Sequence, residues 1–96
     1  MVERTLLIQN KLGLHARAAA KLVQCAAKFK CEVKIARIDG KADGAQATEV
    51  NAKSIMGVLM LAAAKGTKVR VSAVGDDEEA AVRAMVELID GKFGEE

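Results

Sequence analysis

The sequence predicts a small α+β domain of order βαββαβα, an open-faced β-sandwich in which a four-stranded antiparallel sheet carries three helices on one face. Three observations predict it. The chain has 96 residues, enough for about one domain, and we expect a single domain over 1–96. Hydrophobic residues make up 51% and charged residues 29%, which is typical of a folded chain. Period-two and helical patterns follow one another along the sequence.

The first three elements lie in the N-terminal part of the chain. A β-branched and apolar run within 1–9 predicts the first strand, and turn residues up to Gly13 end it. Apolar residues at helical spacing predict an amphipathic helix over 16–29. Its predicted apolar stripe consists of Ala16, Ala19, Ala20, Val23, Ala26 and Ala27. Alternation over 31–37 predicts the second strand, with one face exposed to water.

The middle of the chain predicts a long connection, a strand and a short helix. Residues 38–45 are rich in residues that favour turns, and the third strand is predicted at 46–50. Residues 51–54 open a helix that is predicted to run to about Ala64, with Gly66 as its C-cap. Core spacing in this helix is given by Ile55, Val58, Leu59 and Ala62.

The last two elements complete the predicted order. Alternation over 68–74 predicts the fourth strand. Four acidic residues at 76–79 start the last helix, because negative charge in a first turn complements the helix dipole. Gly91 and Gly94 end it.

Composition excludes several classes of function. A net charge of +2 and only two aromatic residues, Phe29 and Phe93, argue against a nucleic-acid partner. Cys25 and Cys31 lack CxxC spacing, and the single histidine of the chain cannot complete a four-ligand zinc site with them. We therefore expect no metal site and no cofactor. No apolar run approaches the roughly 18 residues of a membrane span. We therefore expect no membrane insertion and a cytoplasmic protein with both thiols free.

The only histidine, His15, lies where a loop meets the predicted first helix. An imidazole can act as a nucleophile and carry a labile group. Backbone amides of Ala16, Arg17 and Ala18 would point at a phosphate on it, and the helix dipole favours negative charge there. The Arg17 guanidinium can pair with phosphate oxygens through two parallel N–H bonds. The pattern predicts an anion site, although it is also compatible with a histidine that only precedes a helix.

Two runs of the sequence resemble the signatures of a known family. Residues 10–23, NKLGLHARAAAKLV, and residues 53–57, KSIMG, are similar to the two motifs of HPr, the histidine phosphocarrier of the bacterial phosphoenolpyruvate-dependent phosphotransferase system. The predicted order of elements also matches that family's fold. The resemblance implies that His15 accepts a phosphoryl group from phospho-Enzyme I and passes it to IIA domains, with Arg17 as the assisting cation. We expect a carrier rather than an autonomous enzyme, because no second base accompanies His15.

Ser54 stands directly before the predicted second helix, where a serine hydroxyl commonly caps a free helix amide. In many HPr proteins the matching serine is also phosphorylated by HPr kinase/phosphorylase, so the resemblance implies a regulatory site. A phosphate at a helix N-terminus favours the helix. We therefore expect its effect to come from new charge on a docking surface.

The predicted second helix is apolar nearly all round, which is more than one buried face requires. Met56 and Met60 lie off the core spacing, and they either fill gaps in the core or form an exposed patch. HPr proteins dock Enzyme I and IIA domains with such residues. The predicted docking residues are Ile55, Met56, Leu59 and Met60, with Lys21 and Lys53 at a basic rim. A carrier that docks two partners through one face is expected to be monomeric.

Two features depart from the family pattern. Ala18 stands where HPr proteins usually have proline, and the change keeps the anion site and adds an amide donor. The connection over 38–50 is several residues longer than the hairpin of typical members, and its role stays open.

Two other functions also stay open. The chain could be a regulatory binding protein, of a nitrogen-type or serine-phosphorylated kind, with no role in sugar transport. It could also be an unrelated α+β module that binds a metabolite or RNA, although both motifs would then be coincidences.

Overall fold

The computed structural model describes residues 1–38 and 48–94. The described elements are β1 (Val2–Leu7), α1 (Ala16–Ala27), β2 (Glu32–Arg37), β3 (Thr48–Asn51), α2 (Ile55–Met60), β4 (Lys68–Val74), α3 (Glu78–Asp90) and a final 3-10 turn (Lys92–Gly94). The predicted α+β class and element order are confirmed. Most of the connection over 38–50, and the predicted start of the third strand at 46, lie outside the described residues. No helix in the described ranges is long and apolar enough to cross a membrane.

The described strands form one antiparallel sheet in the order β1-β4-β2-β3. Strand β4 lies inside the sheet, and its Val71 is level with Arg4 of β1 and Ile35 of β2. Because side chains alternate along a strand, Val69 and Val71 share one face, and both are fully buried. The helices cover that face.

One hydrophobic cluster fills the space between the sheet and the helices. The small buried residues of α1 allow this helix to pack closely against the core, and α3 contributes the longer side chains of Met85 and Ile89. Phe93 of the final turn is 1% exposed and closes the cluster at the C-terminal end.

The predicted apolar stripe of α1 is partly wrong. The buried residues are Ala18, Ala19, Leu22 and Ala26. Ala16 and Ala27 are exposed, because Leu22 turns the helix so that its one leucine reaches the core. The helix also ends at Ala27 rather than at Phe29, with Lys28 as its C-cap.

The second helix is shorter than predicted. It ends at Met60, because Ala62 adopts a left-handed backbone with φ of 51° and breaks the helical bonding. The turn this creates brings the Ala63 carbonyl to the Leu14 amide at 2.9 Å. The predicted cap, Gly66, lies instead in the turn into β4.

The early end of α2 also changes which of its residues are buried. Val58 is fully buried as predicted, and Leu59 is half-buried against the core. Ile55 is 44% exposed and Ala62 is exposed, contrary to the predicted core spacing, while Leu61 is buried instead. Helical spacing no longer applies beyond Met60, which accounts for Leu61 and Ala62, whereas Ile55 is exposed in the first turn of the helix.

Candidate functional site

His15 is the N-cap of α1. Its backbone is extended, and its carbonyl accepts the Ala19 amide at 2.8 Å as the first helical bond. Its Nδ1 atom accepts the backbone amide of Arg17 at 3.2 Å. The imidazole nitrogen that has a lone pair therefore faces the first turn of the helix. The ring is half-buried, whereas Arg17 is exposed.

The predicted anion-binding residues occupy the first three positions of this helix. Ala16, Arg17 and Ala18 follow the N-cap directly, so their amides belong to the group that a helix start leaves available to an anion. Ala18 is fully buried. Its methyl group packs in the core, and only its backbone can contribute to the site.

The loop before His15 is fixed by a close approach to the turn after α2. Gly13 has φ of 68°, and a Cβ there would lie 2.6 Å from the Ala63 carbonyl oxygen. The Asn10 side chain donates to the Gly13 carbonyl at 2.7 Å. The Leu14 amide donates to the Ala63 carbonyl at 2.9 Å. Only glycine fits at position 13, and the imidazole is presented on a fixed backbone.

Ser54 is the N-cap of α2, and the capping role expected of it is confirmed. Its backbone is extended, and its Oγ accepts the Gly57 amide at 3.1 Å. The Ser54 amide donates to the Asn51 carbonyl at 3.0 Å. The hydroxyl is half-buried.

Lys21 and Lys53, which were predicted to lie at one basic rim, are far apart in the structure. The Lys21 ammonium donates to the Phe93 carbonyl at 2.6 Å, one helical turn beyond Arg17. The Lys53 ammonium donates to the Phe29 carbonyl at 2.7 Å, beyond the C-terminal end of α1. Twelve helical residues, or about 18 Å, separate the two ends of α1. Lys53 and Ser54 therefore lie far from His15.

Exposed apolar residues lie on α2 and in the loop before His15. Met56 is 70% exposed and Met60 is 74% exposed, so both methionines lie outside the core. We call Ile55, Met56 and Met60 the α2 patch. Leu12 is 68% exposed in the loop before His15 and was missed by the sequence analysis, although an apolar side chain in a polar turn was the available signal.

The two cysteines are free, as predicted, and neither lies in this site. Burial, followed by a hydrogen bond to Asp77, raises the pKa of the Cys31 thiol to about 11. Burial also raises the pKa of Cys25. Both thiols are therefore poor nucleophiles at neutral pH.

The fold and the site together define a class of protein, a small open-faced β-sandwich that presents one histidine at a helix N-terminus. A family model described as "PTS HPr component phosphorylation site" matches residues 2–91. The chain belongs to this family, the HPr phosphocarriers of the phosphotransferase system, and the resemblance seen in the sequence is confirmed.

Individual relatives agree with this assignment. "Phosphocarrier protein HPr" of Xylella fastidiosa is 47% identical over 96 residues, covering 100% of this chain and 99% of its own length. The crystal structure of HPr-C-His from Thermoanaerobacter tengcongensis superimposes with a TM-score of 0.86 at 49% identity, covering 100% of this chain and 99% of its own. An HPr dimer structure from the same organism has a TM-score of 0.70 at 48% identity, with 99% and 100% coverage.

Proposed function

We propose that this chain carries a phosphoryl group on Nδ1 of His15. It receives the group from phospho-Enzyme I, ultimately from phosphoenolpyruvate, and passes it to IIA domains for sugar uptake or regulation. The observation that carries the proposal is the 3.2 Å hydrogen bond from the Arg17 amide to Nδ1. This contact identifies the nitrogen with the lone pair and directs it at the helix N-terminus.

The transfer itself needs positioning and charge stabilisation more than further reactive groups. The Nδ1 lone pair forms a bond to phosphorus as the bond between phosphorus and the donor breaks, and Nε2 keeps its proton. The phosphoryl oxygens then replace Nδ1 as the acceptor of the Arg17 amide, and they also accept the first-turn amides of Ala16 and Ala18. The exposed Arg17 guanidinium pairs with the same oxygens. The second transfer reverses these steps toward the IIA domain.

Partner docking is proposed for the α2 patch together with Leu59 and Leu12. Leu12 lies in the loop before His15, the α2 patch lies on the helix that packs against α1, and exposed methionines adapt to more than one partner surface. Lys21 adds positive charge one turn beyond Arg17. Lys53 adds positive charge near the C-terminal end of α1, away from His15.

Regulation is proposed at Ser54, by HPr kinase/phosphorylase. A phosphate there adds negative charge next to Ile55 and Met56 of the α2 patch. Because phosphate is favourable at a helix N-terminus, the helix stays folded and the docking surface changes its charge. Because Ser54 lies near the end of α1 that is opposite to His15, we expect the phosphate to act on partners rather than on the imidazole.

The proposal is tested by intact mass after incubation with phosphoenolpyruvate and Enzyme I. The wild type and Ser54→Ala are expected to gain one acid-labile phosphate, and His15→Ala to gain none. A wild type that stays unmodified would refute the carrier function. The second candidate, a regulatory binding protein without a transport role, predicts instead an acid-stable phosphate that needs a kinase, ATP and Ser54.

We further propose that the chain acts as one domain over 1–96, as a monomer in the cytoplasm. Docking two partners in turn through one face favours a monomer, which light scattering of the purified protein at assay concentrations would test. An apparent mass of twice 10.1 kDa would contradict this point and leave the carrier function untouched.

A further inference from the structure

Arg37, on β2, is half-buried and has no part in the proposed phosphoryl site. Its Nη1 atom donates to the Leu61 carbonyl at 3.0 Å and makes a longer contact of 3.5 Å with the Ala62 carbonyl. Both carbonyls lie just beyond the end of α2, where a helix leaves carbonyl groups without partners from its own turns. A guanidinium supplies several N–H donors in a rigid fork, so Arg37 ties the end of this helix to the sheet.

The turn that Arg37 holds is a strained one. Ala62 has φ of 51°, a left-handed conformation that is uncommon for any residue with a Cβ. Such conformations persist only where the surroundings enforce them, and they often lie beside functional sites. Here the next residue, Ala63, offers its carbonyl to the Leu14 amide at 2.9 Å. Leu14 directly precedes His15.

We infer that Arg37 is a positioning residue for His15, a role that rests on the function proposed above. The guanidinium fixes the turn at Leu61 and Ala62, the turn fixes the Ala63 carbonyl, and that carbonyl fixes the backbone that presents the imidazole to the first turn of α1. Arg37 does not touch the reacting atoms. Because phosphoryl transfer depends on placing the nucleophile correctly, a looser loop lowers the transfer rate without weakening docking.

The experiment compares the wild type, Arg37→Met and a matched control, Arg70→Met. Arg70 is also a half-exposed sheet arginine, but its contacts are ion pairs of 3.9 Å to Glu3 and Glu49, away from the turn after α2. Rapid-quench transfer from phospho-Enzyme I, at increasing carrier concentration, gives the maximal rate and the half-saturating concentration. Arg37→Met is expected to lower the maximal rate about ten-fold and to leave the half-saturating concentration within about two-fold. Arg70→Met is expected to change neither by more than about two-fold.

A second-site variant tests the route. Glycine adopts positive φ freely, so Ala62→Gly should relieve the need for Arg37. The double variant Arg37→Met with Ala62→Gly is expected to recover the maximal rate to within about two-fold of the wild type. A rate that stays low in the double variant would overturn the inference, since the effect would not pass through the turn. So would an unchanged rate in Arg37→Met, or a change confined to the half-saturating concentration.

Hydrogen exchange at the Leu14 amide gives a readout that needs no phosphoryl transfer. Arg37→Met is expected to speed this exchange about ten-fold, whereas Arg70→Met leaves it unchanged. If the wild type accepts no phosphoryl group, the proposed function fails, while unchanged Leu14 exchange overturns the positioning of the loop independently. If Arg37→Met does not fold, Arg37→Gln takes its place under the same criteria.

Discussion

The N-termini of α1 and α2 use the same local device with different side chains. His15 Nδ1 accepts an amide at 3.2 Å and Ser54 Oγ accepts one at 3.1 Å, and both residues have extended backbones. An imidazole with a lone pair can take a phosphoryl group directly, with the Arg17 guanidinium two residues away. A serine hydroxyl needs an outside base to do the same. The capping side chain, rather than the helix start, therefore sets the chemistry that is available at each of the two N-termini.

The two capped ends also differ in position. The Leu14 to Ala63 hydrogen bond joins the start of α1 to the turn beyond α2, and the Lys53 to Phe29 hydrogen bond joins the start of α2 to the far end of α1. The two helices are therefore antiparallel, and their N-caps lie at opposite ends of the pair. A charge at one cap reaches the other only through a partner that covers both.

The largest expected effect is on the rate of phosphoryl transfer, and it comes from Arg17, the cation two residues after the α1 cap. Arg17→Ala keeps the backbone amide and removes the guanidinium, so it should lower the transfer rate about ten- to a hundred-fold, from the ~1.5–3 kcal/mol that a charge-assisted hydrogen bond contributes. Rapid-quench transfer from phospho-Enzyme I measures this rate. Lys28→Ala removes a positive charge from the other end of the same helix and is the control; it should retain most of the rate, because Lys28 is the exposed C-cap of α1. If the transfer rate fell equally in the two variants, the rate would depend on the overall positive charge and not on the Arg17 guanidinium itself.

The next effect concerns the surface between the two caps. Met60→Glu should raise the half-saturating concentration for Enzyme I about ten-fold, as for a contact residue in an interface. Its stability should change by less than about 0.5 kcal/mol, because Met60 is 74% exposed. Leu7→Glu is the matched control, since Leu7 is an exposed apolar residue on β1. If both variants bind Enzyme I alike, the α2 patch is not the docking surface.

A smaller effect is expected from the α2 cap. Ser54→Ala should lower the free energy of unfolding by about 1 kcal/mol, because the Gly57 amide loses its acceptor. Urea unfolding measures it, and Ser54→Asp, which keeps an acceptor oxygen, should stay near the wild type. The rate of transfer to His15 should be the same in Ser54→Ala as in the wild type. A slower transfer in that variant would show that the two caps are coupled inside the molecule.

The smallest effect concerns the third helix start. The Asp77 carboxylate accepts the backbone amides of Lys30 at 2.9 Å and Cys31 at 3.0 Å, tying α3 to the turn between α1 and β2. The hydrogen bond from the Cys31 thiol and these amides lower the pKa of Asp77 below its ordinary 3.8. The unfolded chain therefore binds more protons in acid. The contribution of the Asp77 carboxylate to the free energy of unfolding is fully present above pH 3.8, and it is lost as the pH falls through the lowered pKa.

Asp77→Asn should accordingly flatten the dependence of the free energy of unfolding on pH between about pH 5 and 2, as measured by urea unfolding. Asp76→Asn makes the same charge change next to it and serves as the control. Matching acid slopes in Asp77→Asn and the wild type would show that the carboxylate contributes no pH-dependent stability.

The sequence was sufficient for the parts of the protein that depend on local pattern. Alternation located β2 and β4 to within a residue, and the acidic run located the start of α3. Histidine, arginine and a helix start within three residues predicted that His15 stands at the N-terminus of α1, because capping and amide geometry are local. Serine before a helix predicted the cap at Ser54 for the same reason.

Contacts between segments distant in sequence decided the rest. The stripe predicted from the alanines of α1 was partly wrong, and only the packing of the core showed that Leu22 lies on the buried face. The end of α2 was misplaced because Ala62 takes a positive φ that no local preference indicates, and which Arg37 from β2 helps to hold. The separation of Lys53 from His15 likewise follows from the antiparallel packing of α1 and α2. Local sequence determined that a histidine caps a helix two residues before an arginine. Tertiary packing alone decided how the imidazole is held, because the hydrogen bonds of Leu14 to Ala63 and of Arg37 to Leu61 join residues that are adjacent only in the folded chain.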